Sequence, residues 1–107
     1  MKTLTLMLAL LLTSASLYAR ESTCLEESKK AYLQSLYERG YDFDNVYRPI
    51  TNLKEFLALY QAEGLYHFPN ALHFEAHASY VSGFGIEMVE VDPKDCHILA
   101  TIEIYAE

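Results

Sequence analysis

Between Cys96 and Ile104, apolar side chains recur at every second position: Cys96, Ile98, Ala100, Ile102 and Ile104. A period of two places them on one face of a β-strand. The run before it, Phe84 to Val91, is also rich in β-forming residues, and Asp92-Pro93-Lys94-Asp95 separates the two. Proline at the second position of a four-residue turn marks a hairpin. Upstream, Leu72, Phe74, Ala76, Ala78 and Tyr80 alternate with His73, Glu75, His77 and Ser79. That alternation predicts another strand, turned into the hairpin at Ser82-Gly83. A hairpin alone is marginal in water, so its apolar face needs cover from earlier in the chain.

The cover has a period near 3.6. Leu25, Tyr32 and Leu36 form a stripe with Ser28 between them, while Glu26, Lys30 and Glu38 face outward. Thr23 with Glu26 reads as a capping box and Gly40 as the stop, so a first helix is expected from Ser22 or Thr23 to Gly40. A second follows from Asn52 as N-cap with Glu55 three residues on. Leu53, Phe56, Leu57 and Tyr60 form its apolar stripe and Gly64 its end. Residues 41–51 between them read as irregular, because Pro49 disfavours helix at Arg48 and the Asp/Asn cluster favours turns.

The predicted fold is therefore α+β: two N-terminal helices packed on a three-stranded antiparallel meander, in the order ααβββ. This element order resembles that of β-lactamase-inhibitor-like proteins and of small outer-membrane-assembly lipoproteins. The resemblance is one of order alone and carries no residues with it.

The N-terminus changes the picture. Lys2, the apolar run Leu4–Leu12 and the small residues Thr13 to Ala19 form a signal peptide over residues 1–19. The run is too short to span a bilayer, which needs about 20 residues, so no stable membrane anchor is expected. Residues 20–107 then form a single small α+β domain that is periplasmic or secreted. In an oxidising compartment the two cysteines, Cys24 and Cys96, are expected to pair. The net charge of −7 at pH 7 argues against nucleic acid and anionic lipid as partners.

Candidate chemistry is sparse. On a helix His73 and His77 could share a metal ion, but on a strand they lie about 13 Å apart. His73 with Glu75 and His97 remains geometrically open as a ligand set, against the simpler reading of a polar sheet face. Cys96-His97 cannot act as a dyad on a strand, because neighbours point to opposite faces. No nucleophile elbow, phosphate loop or paired acid set occurs. No enzyme activity, cofactor or metal is expected.

What remains is aromatic and acidic. Tyr41, Phe43 and Tyr47 alternate with Asp42, Asp44 and Arg48; Tyr66 lies in the second connection, and Phe84 stands between two glycines. Aromatic and arginine side chains on loops favour recognition, although a small core also recruits loop aromatics. The expectation is an exported protein-binding protein of inhibitor or immunity type that occludes a basic cleft on another protein. The alternatives are an accessory structural subunit of a cell-envelope assembly and a small-ligand or metal binder.

Overall fold

Four antiparallel strands in the order β1-β2-β3-β4 form the centre of the computed structural model, which describes residues 23–107. The signal peptide expected at residues 1–19, and Ser22 at the start of the first helix, lie outside the described residues. The elements are α1 (residues 23–39), β1 (Asp42–Pro49), α2 (Leu53–Leu59), β2 (Leu72–Tyr80), β3 (Gly83–Val91) and β4 (Ile98–Ala106). The fold is α+β with helix packed on antiparallel sheet, as expected, but the order is αβαβββ. Among the described residues no helix is long and apolar enough to cross a membrane.

The added strand is β1, where the sequence reads as turns. Phe43 pairs with Ala78 and Tyr47 with Ala76, so three residues of β1 face one of β2. Asn45 sits in this bulge with φ 62°, a conformation that asparagine tolerates better than most residues. The Asp/Asn cluster is thus a bulge within a strand. Pro49 closes the edge strand, a position where a missing N–H costs no ladder bond.

The helices lie on opposite faces of the sheet, not on one. Val89 and Val91 pack with Cys24, Tyr32 and Leu36, whereas Met88 packs with Leu57, Ala62 and Ile104. Neighbouring strand residues point oppositely, so α1 covers one face and α2 the other. β4 serves both. Two register irregularities against β3 place Ile98 on the α1 side and Ile102 with Ile104 on the α2 side. The single apolar face expected for this strand is therefore split, and Cys96 lies outside it, in the turn, with φ 64°.

Local chemistry sets both helix ends. The Gly40 N–H donates to Tyr37 O and the Tyr41 N–H to Leu36 O, with Gly40 at φ 74°. This is a Schellman motif. At α2 the Asn52 side chain accepts from the Glu55 N–H at 3.0 Å. The helix stops earlier than Gly64 because Gln61 takes the left-handed position (φ 53°) and the Ala62 N–H closes onto Leu57 O.

Tyr32, Leu36, Phe74, Met88, Val89 and Val91 are fully buried. Each contributes roughly 1.5–3 kcal/mol by leaving water. The Tyr47 ring stacks on Phe74 at 5.3 Å, and its hydroxyl donates to Ser28 Oγ, which donates to Cys24 O. Burial pushes the Tyr47 hydroxyl up to about 12. Cys24 is bonded to Cys96, tying α1 to the β3–β4 turn.

Candidate functional site

One end of the sheet collects acidic and aromatic side chains from four strands and from the end of α1. β1 begins there, β2 turns into β3 at Val81-Ser82, and β4 finishes against Gly85. Asp42, Asp44, Glu103 and Glu107 are exposed at this end, and Val81 at the hairpin tip is fully exposed. The Ser79 hydroxyl donates to Asp44 at 2.6 Å. Phe84 contacts Tyr105 with ring centroids 6.0 Å apart, and Tyr105 is 38% exposed.

The glycines beside Phe84 make this end compact. A Cβ on Gly83 would lie 1.7 Å from the Glu107 carbonyl oxygen, and one on Gly85 2.9 Å from the Tyr80 hydroxyl. The Phe84 N–H donates to Glu107 O and the Glu107 N–H to Phe84 O, so the segment after β4 is laced to β3. On the α1 side, Arg39 forms a two-point ion pair with Glu87, both contacts at 3.1 Å, and Tyr32 donates to Glu87 at 2.6 Å. Arg39 also lies over the Tyr41 ring at 5.1 Å, and Tyr41 contacts Tyr80 at 5.0 Å.

The middle of the α2-side face is polar too. Arg48 holds Glu75 by two hydrogen bonds of 3.2 Å, and His77 completes the carboxylate's set. Burial pushes the Glu75 carboxyl up, but the hydrogen bonds and charges of Arg48 and His77 outweigh it, so the pKa is lowered. A depressed folded pKa stabilises the protein above the unfolded value, and that contribution disappears as pH falls through the folded value. Wild type is therefore expected to lose stability on acidification below about pH 4.5, the ordinary value of this carboxyl. Arg48→Ala should lose less over the same range. Denaturant midpoints at pH 6 and pH 3 check this, and equal losses would refute it.

The histidines do not converge. His73 is buried against Glu90 at 3.0 Å, His77 bonds Glu75, and His97 stands in the β3–β4 turn with Asp95 at 2.6 Å. Ligating atoms of Asp92, Asp95 and His97 come within 4.8 Å of one another. They are engaged in closing that turn, where Asp92 accepts from the Lys94 N–H and Asp95 from the His97 N–H.

Of the binding residues expected from sequence, Tyr41, Asp42, Phe43, Asp44 and Phe84 meet at the acidic end. Tyr47 is instead built into the core. Arg48 lies further along β1, beside a groove of about 610 Å³ between that strand and α2. Tyr66 lies near the other end, in the connection that adjoins the β3–β4 turn, with Leu65 and Phe68 also exposed. No local pattern in the sequence marks Arg39, Tyr80, Glu87, Glu103 or Tyr105 as binding residues. The signal for Glu87 and Glu103 is hairpin register, which sets them directly across from each other, while Arg39 reaches Glu87 from the end of α1. Compared with protein families, curated proteins and solved structures, the chain matches none.

Proposed function

We propose that this chain is an exported protein-binding protein of inhibitor or immunity type, periplasmic or secreted, which acts by occluding a basic cleft on its partner. A signal peptide at residues 1–19 would deliver it, leaving residues 20–107 as one domain. The buried disulfide supports an oxidising compartment. The observation that carries the reading is the acidic end, where Asp42, Asp44, Glu103 and Glu107 are exposed together with Val81 and Tyr105, and the half-buried Phe84 ring packs on Tyr105, on a backbone laced by hydrogen bonds. Aromatic anchors with a complementary charged rim suit a protein interface, and unlike charge steers association.

The test is capture of a partner by the oxidised protein from native envelope and secreted extracts, followed by binding kinetics with the purified partner. The expected result is one soluble partner whose association slows as salt rises and weakens at least about tenfold for Asp42→Asn/Asp44→Asn/Glu103→Gln. An association rate unchanged from low to high salt would sink the steering mechanism.

A second reading rests on the open edge of β4, where Thr101, Glu103 and Tyr105 are exposed. An accessory subunit of a cell-envelope assembly could pair a strand there. Retention on a membrane complex by wild type and the triple variant alike would favour it.

A further inference from the structure

The acidic end contains a partly open cavity that the occlusion reading does not use. It measures about 370 Å³ and is lined chiefly by Arg39, Tyr41, Tyr80, Ser82, Glu87 and Glu103, with Ala78 adding a methyl group and Gly85 only backbone. That volume falls within the usual range of small-ligand sites, about 300–1,000 Å³. We infer that this cavity takes the alkylammonium group of a lysine side chain presented by the partner protein. The inference rests on the protein-binding reading and names the chemistry by which that partner is anchored.

The charges in the cavity are divided unequally. Glu87 receives Arg39 at two points and the Tyr32 hydroxyl, so its charge is matched. Glu103 lies directly across the strand pair from Glu87, an arrangement that costs stability between like charges. Its hydrogen bond from Tyr80 is long, 3.3 Å, and the same hydroxyl also points to Phe84 O at 3.1 Å. Arg39 is committed to Glu87 and to the Tyr41 ring, so it has little to offer Glu103. The cavity therefore carries one more negative than positive charge.

Its free capacity also favours a cation. Glu103 retains most of its lone pairs and Ser82 offers a hydroxyl oxygen, whereas both terminal nitrogens of Arg39 are engaged by Glu87. An anion would instead face the unmatched Glu103 carboxylate, which repels it. An ammonium supplies three donors and a point charge, and the Tyr80 ring offers an aromatic wall for it. The alkyl stem can lie along the tyrosine rings while the charged head reaches Glu103. Gly85 matters here because a side chain at that position would collide with the Tyr80 hydroxyl and displace this wall.

The test is an NMR titration of the oxidised, isotope-labelled protein with Nα-acetyl-lysine methylamide. Nα-acetyl-norleucine methylamide, which lacks the ammonium, is the control. The expected result is saturable shifts at the amides of residues 80–87 and 103 with the lysine compound alone. Glu103→Gln should weaken them roughly tenfold or more. Glu27→Gln, exposed on α1 and outside the cavity lining, should leave them unchanged. Glu103 is exposed and faces a like charge, so Glu103→Gln should melt at or slightly above wild type, and Tyr80→Phe provides an independent second variant. Absence of saturable shifts, equal shifts with norleucine, or an indifferent Glu103→Gln overturns the cavity's role. Tighter binding of free cadaverine than of the lysine compound would replace the protein side chain with a free amine. A partner held equally by wild type and Glu103→Gln overturns the cavity but not the binding reading. Lysine binding with no partner found does the reverse.

Discussion

Reducing the Cys24–Cys96 bond is expected to lower the melting temperature by roughly 15–30 °C. The bond joins residues separated by 72 positions. In the chain-entropy treatment, closing a loop of that length removes about 4 kcal/mol of unfolded-state freedom. For a domain of this size each kcal/mol shifts the midpoint by about 4–8 °C. The location makes the loss global, because α1 and the β3–β4 turn are far apart in sequence and packed on the same core cluster. Both sulfurs are buried, Cys24 at 0% exposure and Cys96 at 5%, so serine replacements would add a burial penalty of their own. Oxidised and reduced protein of identical sequence, together with Cys24→Ala/Cys96→Ala, separate the two effects. Calorimetry in the presence and absence of reductant measures the shift, and a change under about 5 °C would contradict the entropic account.

That bond was legible from two cysteines and a compartment argument, and other features were legible for equally local reasons. Asn52 and Glu55 announce the start of α2, and Gly40 the end of α1, because each satisfies backbone groups within one turn. The alternation of β2 survives intact because its ladder to β3 runs without a slip from Leu72 to Tyr80. Illegibility has a common cause in the bulges. The bulge at Asn45 makes β1 look like turns, and the irregularities opposite β4 divert Ile102 and Ile104 from the face of Ile98. A period-two reading cannot detect a residue that drops out of register. The same limit hides the site. Tyr41, Asp42, Phe43 and Asp44 attract notice as a local run, whereas Glu87 and Glu103 meet only through strand pairing and Arg39 reaches Glu87 from the end of α1. Tyr47 belongs to the same run, yet its ring fills the space over Phe74 and so serves the core.

Glu90→Leu is expected to destabilise the protein by about 3–5 kcal/mol, even though it exchanges a buried charge for an apolar side chain. Glu90 is wholly inaccessible, beneath the connection that follows α2. Its carboxylate accepts from the backbone N–H groups of His67 at 3.0 Å and Phe68 at 2.8 Å, and contacts His73 Nε2 at 3.0 Å. Removing the acceptor leaves two backbone donors and an imidazole without their partner, and unpaired buried donors cost about 1–3 kcal/mol each. Glu90→Gln retains the shape and one carbonyl oxygen, but its amide would present further donors to donors, so an intermediate loss is expected. The connection has one way to limit the damage, which is to lift off and hydrate its own amides. Hydrogen exchange distinguishes the two responses. Faster exchange confined to residues 65–70 with a smaller stability loss marks a detached connection, whereas a full loss with uniform exchange marks a strained core. Stability within about 1 kcal/mol of wild type together with unchanged exchange at His67 and Phe68 would mean that the carboxylate is not what holds this segment down.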